Sequence, residues 1–204
     1  MALYFADEAI SLGLVMVKLI PNPEVFGLAA LMLFHDARRS SRSSKKEPFI
    51  PLEQQNRLLW DQNKIHQAEC LLQQALTFKQ PGPYQIQAAI SALHSNAENW
   101  DATDWAQIQL LYKSLLKLHP SPVVRLNLAI AKANDNKLGQ AYKEVVELSE
   151  MLDEYQPYHA ARGELETRLN LIEQAVHSII KAINLSKNSI ERDFLINKRE
   201  QLRR

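Results

Sequence analysis

The chain repeats itself between residues 122 and 185, and this repeat limits the available folds more than any other feature. Residues 34 positions apart match in size: small residues meet small ones, and β-branched residues meet each other. The matched pairs include Ala129 with Gly163, Asn136 with Asn170, Ala141 with Ala175, and Val145 with Ile179. Each unit therefore places a small residue within each of two successive helices, with a turn-forming Asn between them.

A period of this length and pattern is typical of the tetratricopeptide repeat, which is a pair of antiparallel helices. One such pair cannot bury its own apolar face, so it must stack on a neighbouring pair. We therefore predict an all-α fold of about ten helices, whose antiparallel pairs form a tetratricopeptide-like right-handed superhelix. We place an N-terminal helical hairpin and basic linker at residues 1–52 and the repeat region at residues 53–204.

The composition favours helix and gives the chain no global charge. Hydrophobic residues make up 46% of the chain, Gly occurs only 5 times, and the formal net charge is +1. No overall field therefore draws the chain to nucleic acid or to a membrane surface.

The single cysteine, Cys70, excludes an internal disulfide, and no signal-peptide pattern is found, so we expect a cytoplasmic protein. The apolar runs 12–17 and 25–34 are shorter than the roughly 18 residues that a membrane helix needs.

The N-terminal residues predict a helical hairpin followed by a basic tract. A helical pattern begins at once near Ala6, which suggests a fragment of a longer protein. Pro21 and Pro23 end the first helix and start the second, and residues 25–34 are apolar on all sides, which predicts a deeply buried helix. The Ser-rich and Lys-rich residues 40–46 predict the least structured segment, more typical of a solvated linker than of a phosphate contact. A long helical pattern begins at Glu53.

No pattern of residues indicates catalysis. His35 and Asp36 could begin the site of a metal-dependent hydrolase, but the sequence offers no second cluster of ligands. We favour a structural polar network that caps the buried second helix, in which Asp36 pairs with an arginine. The network would contain His35, Asp36, Arg38 and Arg39, and the candidate partners of Asp36 are Arg38, Arg39 and Arg57.

The remaining reactive residues are scattered. His66 and Cys70 are one helical turn apart, but this pair lacks the third and fourth ligands of a zinc site. No phosphate-binding Gly-rich loop, catalytic serine motif or dinucleotide-binding fingerprint occurs. We therefore expect no enzyme activity, no metal and no cofactor.

Trp60 and Trp105 are predicted to pack in the core, whereas Trp100 lies in a polar loop and is a candidate for exposure.

Five motifs occur in a fixed order: LMLFHDARR at 31–39, WD at 60–61, GPYQIQAAI at 82–90, TDW at 103–105 and SPVVRLN at 121–127. In these motifs the chain resembles the C-terminal, tetratricopeptide-like extension of extracytoplasmic-function RNA polymerase sigma factors, over residues 7–185. The resemblance implies a non-catalytic regulatory and protein-interaction module that acts in bacterial transcription initiation. The implied partners are the sigma regions of the same full-length chain, RNA polymerase or a regulatory protein. Specific DNA binding by this part alone is not expected, nor is membrane association.

Two features depart from this family pattern. The Ser-rich and Lys-rich tract after Arg39 is more basic than the family pattern, and Asn136 and Asn170 stand where a repeat usually has Gly. Because Asn tolerates a left-handed backbone, the turns remain possible.

The functional surface is predicted on the concave face of the superhelix, which the first helices of successive pairs would line. Amides and charges of both signs suit a polypeptide partner with its own polar backbone. The predicted partner-binding residues are Arg125, Asn127, Lys132, His159, Arg162 and Glu166. Two alternatives stay open: Arg125 and Arg162 could simply pair with neighbouring carboxylates. Alternatively, the groove could bind a small molecule or a peptide as a sensor domain.

Overall fold

A computed structural model describes residues 2–44 and 48–203, and these residues form an all-α protein. They contain ten α-helices and no β-strand. The chain divides into two compact units, Met1–His119 and Pro120–Arg204. None of the described helices is long and apolar enough to cross a membrane. The prediction of an all-α fold is confirmed.

The first unit contains five α-helices and three short 3-10 turns. The helices are α1 (Ala2–Leu19), α2 (Pro23–Ala37), α3 (Gln62–Thr77), α4 (Pro83–Asn96) and α5 (Trp105–Leu118). The 3-10 turns are Arg39–Ser41, Leu52–Gln54 and Arg57–Leu59.

The α2 helix is the centre of the first unit. It packs most extensively on α3 and α4, and also on α1. Ala30 and Phe34 are completely buried and Leu33 nearly so, as expected for a helix that is apolar on all sides. Because α2 shares its core with α3 and α4, the first unit continues to His119, beyond the predicted boundary between residues 52 and 53.

A carboxylate from α2 holds the start of α4. Gly82, the residue before α4, has no side chain to cap the helix, and Glu24 takes over this role. The Glu24 Oε2 atom accepts a hydrogen bond from the Tyr84 backbone N–H at 2.8 Å, and Oε1 accepts one from the Gln85 N–H at 3.1 Å. A negative charge is favourable at a helix N-terminus. The approach is close: a Cβ atom on Gly82 would lie 2.2 Å from Cδ of Glu24.

One local prediction in this unit is wrong, and another differs from the structure at the start of its segment. The helical pattern expected from Glu53 is two 3-10 turns, and α3 begins only at Gln62 because the Asp61 carboxylate caps it by accepting from the Lys64 N–H. The start of the Ser-rich tract is ordered, since Ser41 is 1% exposed and its hydroxyl donates to the Arg38 carbonyl. Lys45 and Lys46, the most basic part of the tract, lie outside the described residues.

The second unit is built from helix pairs in a 34-residue register. Its helices are α6 (Pro122–Asn134), α7 (Leu138–Val146), α8 (Gln156–Arg168), α9 (Ile172–Leu185) and α10 (Ser189–Leu202). Both α6 and α7 begin 34 residues before α8 and α9. The α6 helix packs on α7, α8 packs on α9, and α10 packs on α9.

The two turns inside these pairs have the same backbone structure. Asn136 and Asn170 have φ angles of 58° and 59°, so both adopt the left-handed conformation. In each turn the N–H that follows this Asn returns to a carbonyl of the last helical turn: Lys137 bonds to Lys132 at 3.0 Å, and Leu171 bonds to Glu166 at 2.9 Å. This is the hydrogen-bond pattern of a Schellman helix end. Asn therefore serves where Gly would be usual.

Candidate functional site

The Asp36 side chain is the centre of a charged network that joins three helices. It is 6% exposed, and its two oxygens are held by two cations. Nε of Arg39 donates to Oδ1 at 2.6 Å, and Nζ of Lys64 donates to Oδ2 at 2.6 Å. Arg39 also reaches Asp7 on α1 at 2.8 Å. The ion pairs therefore tie α1, α2 and α3 together around one buried carboxylate.

Arg39 is one of the three partners predicted for Asp36, whereas the contact with Lys64 was not predicted. Lys64 is 28 residues away and its partner could not be inferred from spacing. The available signal was Asp61, whose side chain caps α3 and so fixes where the helix places Lys64.

The side chains of Arg38 and His35 do not contact the Asp36 carboxylate. Nη2 of Arg38 lies 3.4 Å from Nδ1 of His35. The Arg38 guanidinium also lies over the Trp60 ring, with 5.8 Å between Cζ and the ring centroid. The four residues predicted as one network are therefore separated: Asp36 and Arg39 belong to one cluster, Arg38 belongs to a second cluster at Trp60, and the His35 side chain contacts only Arg38 of these.

The second group, which we call the Trp60 cluster, consists of Arg38, Arg57, Trp60 and His94. The Arg57 guanidinium lies 4.9 Å from the Trp60 ring centroid, and its Nη1 donates to the backbone carbonyls of His94 and Ala97 at the end of α4. The cluster therefore connects α2, the Arg57–Leu59 turn and α4. Trp60 is 3% exposed and belongs to the core, which agrees with its predicted packing role.

Burial changes the proton affinity of two members of the Trp60 cluster. Desolvation, followed by the charges of Arg38 and Arg57, lowers the pKa of His94 to about 4, so this imidazole is neutral at pH 7. Desolvation, followed by the charges of Arg42 and Arg57, lowers the pKa of Arg38 to about 10. No carboxylate among the described residues offsets these effects on Arg38.

A ring cluster lies beside His94. The centroids of Trp100 and Trp105 are 4.6 Å apart with nearly perpendicular planes, and His94 contacts both rings. Trp105 is buried as predicted. Trp100, the candidate for exposure, is half-buried, because its ring packs on His94 and Trp105.

The described residues offer no cluster of three or more metal-ligating side chains. Sγ of Cys70 lies 3.8 Å from Nε2 of His66, and Cys70 is exposed.

An open cleft of about 430 Å³ lies between α1 and α2. One part of its lining is apolar and includes Ala6, Ile10 and Met32. The other part is polar and contains His35, the paired Asp36 and Arg39, and Arg42, which contacts no carboxylate among the described residues. Such a mixture can hold an amphipathic anion. This cleft is in the first unit, whereas the predicted small-molecule groove was placed in the repeats.

The α1 helix presents an apolar stripe to solvent. The stripe consists of Phe5, Leu12, Val15 and Leu19, which are 49–74% exposed. Their spacing of three, four or seven residues places them on one face of the helix. The opposite face packs on α2 through Ile10, Leu14 and Val17. Contiguous exposed apolar surface of this kind is typical of interaction sites.

Three of the predicted partner-binding residues are on α6 and are at least partly accessible. Arg125 is exposed and lies 3.4 Å from the Glu147 carboxylate. Asn127 is half-buried. Lys132 is less available to a partner, because its Nζ donates to both carboxylate oxygens of Glu144 at 2.6 and 2.7 Å. Arg125 and Asn127 are therefore the most available of the three.

The three predicted residues on α8 are turned into the second unit. Glu166 is completely buried and accepts hydrogen bonds from Ser178 at 2.6 Å, Arg162 at 2.8 Å and Tyr142 at 3.2 Å. His159 is 5% exposed, and its Nε2 lies 2.7 Å from the Asp153 carbonyl. These contacts hold α7, α8 and α9 together. Glu166 and His159 do not lie on a surface that a partner can contact in this conformation.

Comparison with known proteins gives two similarities. Residues 2–76 match the profile of a family described as "Family of unknown function (DUF6596)". The matched segment contains Asp36, Arg38, Arg57 and Trp60. The chain is also 40% identical, over 190 residues, to a protein of Rhizobium meliloti (strain 1021) that is described as uncharacterized.

The Rhizobium similarity covers 93% of this chain, and the chain spans 45% of the relative's length. No solved structure matches the chain. The sequence is therefore similar to a protein more than twice the length of the matched segment. The Asp36 network and every member of the Trp60 cluster except His94 lie within the residues that match the DUF6596 profile.

Proposed function

We propose that this chain is a non-catalytic regulatory and protein-interaction module of an extracytoplasmic-function RNA polymerase sigma factor. In this proposal it acts in transcription initiation in the bacterial cytoplasm by contacting sigma regions, polymerase or a regulatory protein. The proposal combines the ordered sequence motifs with the repeat geometry of the second unit.

The observation that carries the proposal is the 34-residue register of α6–α7 and α8–α9. Both helices of each pair start at equivalent positions, and both turns contain a left-handed Asn. This register supports tetratricopeptide-like pairs, and stacked pairs of this kind serve as polypeptide-binding scaffolds with a superhelical groove. The ion pair of Glu166 with Arg162 and its hydrogen bonds from Ser178 and Tyr142 stabilise the scaffold, so partner binding is left to residues that remain accessible.

Two accessible surfaces support a polypeptide partner. The α1 stripe supplies apolar area, and the exposed face of α6 supplies Arg125 and Asn127. The relative from Rhizobium has additional chain beyond the matched region, which is consistent with a module that works beside other regions.

The test is a calorimetric titration of the chain with purified extracytoplasmic-function sigma regions and, separately, with core polymerase. Leu12→Glu tests the α1 stripe, and Leu110→Glu on α5 is its matched control because both leucines are 61% exposed. Arg125→Glu tests α6, and Lys143→Glu on α7 is its control. We expect at least one test variant to weaken binding about tenfold or more, with both controls unchanged. Equal affinity in all four variants would remove both surfaces from the proposal.

The α1–α2 cleft favours a second candidate function, the sensing of a small molecule or peptide. Its apolar lining and Arg42, which contacts no carboxylate among the described residues, suit an anion with an apolar body. The test is a thermal melt of the chain with each member of a library of small amphipathic acids. We expect some of these acids to raise the melting temperature of the parent chain, and Met32→Trp, which fills the cleft, to abolish this rise. A library without any stabilising compound would count against the sensor function.

A further inference from the structure

We propose that Arg38, Arg57 and Trp60 form an oxyanion-binding site in the first unit, which takes a carboxylate or phosphate group. This site is separate from the polypeptide-binding surfaces proposed above, and it does not depend on the sigma-factor assignment.

The first reason is that three neighbouring arginines have no acidic partner among the described residues. Among the described residues, the Arg38 side chain contacts only the His35 ring and the Trp60 face, and Arg57 donates to backbone carbonyls. Nη2 of Arg42 donates to the His35 carbonyl at 2.6 Å. The nearby Asp36 is already bound by Arg39 and Lys64. By contrast, Arg39, Arg125 and Arg162 each contact a carboxylate.

The second reason is a set of buried polar atoms without hydrogen-bond partners. Nη2 of Arg57, Nε1 of Trp60 and Nδ1 of His94 are all inaccessible to solvent and unpaired. An unsatisfied buried donor costs roughly 1–3 kcal/mol, so native proteins usually pair such atoms. The Arg57 and Trp60 atoms are donors only, and they require an acceptor. An oxyanion supplies two or more acceptor atoms at once.

The third reason is the geometry of the guanidinium groups. The Cζ atoms of Arg38 and Arg57 lie 5.8 and 4.9 Å from the centroid of the same Trp60 ring. An arginine held over an aromatic ring loses little further freedom when its planar fork binds a carboxylate or a phosphate. Charge-assisted bonds to such a fork are short and strong. The same set of donors would repel a metal cation.

The burial of the cations supports the same conclusion. Arg38 is a desolvated cation beside other cations, and its lowered pKa reflects this cost. A bound anion would offset that cost because opposite charges attract more strongly where water is excluded. The site is therefore expected to bind an anion more tightly than exposed arginines such as Arg125 do.

The experiment uses the intrinsic fluorescence of the whole chain, because Trp60, Trp100 and Trp105 are its 3 tryptophans. The chain is titrated with sodium phosphate and, in a second arm, with sodium acetate, each against sodium chloride at matched ionic strength. We expect a saturable change with at least one oxyanion and none with chloride. The two arms distinguish a free phosphate group from a carboxylate of the kind that an acidic side chain presents.

Two variants and one control test the assignment. Arg38→Gln and Arg57→Gln should each weaken oxyanion binding about tenfold or more, whereas Lys143→Gln at an exposed position of α7 should leave it unchanged. Since Arg57 also holds the end of α4, circular dichroism must show that each variant stays helical, and Arg38→Gln leaves the α4 contacts intact. The proposal is overturned if neither oxyanion saturates, or if a folded Arg38→Gln chain binds as tightly as the parent.

Discussion

The Asp36 carboxylate shows how burial determines the contribution of an ion pair to the free energy of unfolding. Asp36 and Asp7 both bind Arg39, but their side chains are 6% and 62% exposed. Asp36→Asn leaves Arg39 and Lys64 with a neutral partner, and we expect it to lower the free energy of unfolding by about 1–3 kcal/mol. The control Asp7→Asn should have a clearly smaller effect because solvent screens the exposed pair. Urea denaturation of both variants measures the difference, and equal effects would show that Asp36 is not the centre of the network.

His94 should make stability depend on pH. Its pKa is about 4 in the folded chain against 6.5 for an unperturbed imidazole, so the unfolded state binds the proton more readily. The free energy of unfolding should therefore fall as pH decreases from 6.5 towards 4, by at most about 3 kcal/mol from this residue. Denaturant unfolding at several pH values checks this. Replacement by Gln should remove part of the slope, and an unchanged slope in His94→Gln would contradict the assignment.

Helix crossings in the second unit explain the small residues of the repeat. Ala141 is completely buried on α7, whereas a Cβ on Gly139 of the same helix would meet no atom within 4 Å. Ala141→Leu should therefore destabilise the chain by about 1–3 kcal/mol through overpacking. Gly139→Ala should stabilise it by up to about 1 kcal/mol through helix propensity. Thermal melts measure both changes, and an Ala141→Leu chain as stable as the parent would argue against the close crossing.

The helices of the second unit were largely predictable, because their signals are local. Pro122 and Pro157 mark the first turns of α6 and α8, and the 34-residue period sets the positions of the others. The first unit was less predictable, since its key contacts join distant residues. Nothing near Glu24 in sequence shows that its carboxylate caps α4, 60 residues later. The same holds for the end of α4, which Arg57 binds from outside the helix.

The candidate sites could be predicted only in part. The repeat pattern identifies α6 and α8 as first helices, but it does not reveal which polar side chains turn inward. Glu166 occupies a fully buried position because Ser178, Tyr142 and Arg162 satisfy it, and two of these come from other helices. The Trp60 cluster could not be predicted from the sequence for a similar reason. His94 is 37 residues from Arg57 along the chain, and the packing of α4 brings the two residues together.

At the scale of the whole molecule, the charge distribution does not favour specific DNA binding. The formal net charge is +1, and several of the described arginines are used in internal pairs. We expect any binding to duplex DNA to be weak, to disappear as salt is raised, and to be indifferent to sequence. Mobility-shift competition between a promoter duplex and a random duplex tests this. Preferential competition by the promoter would contradict the expectation.

The central proposal is that the chain is a polypeptide-interaction module that contacts sigma regions, polymerase or a regulatory protein. The most direct test is calorimetric titration of the unaltered chain with purified extracytoplasmic-function sigma regions and, separately, with core polymerase, at several temperatures. The account predicts saturable one-to-one binding with a negative heat-capacity change, because contact with the α1 stripe would bury apolar surface. The absence of binding heat at every temperature, with helicity intact by circular dichroism and no complex by sedimentation, would contradict it.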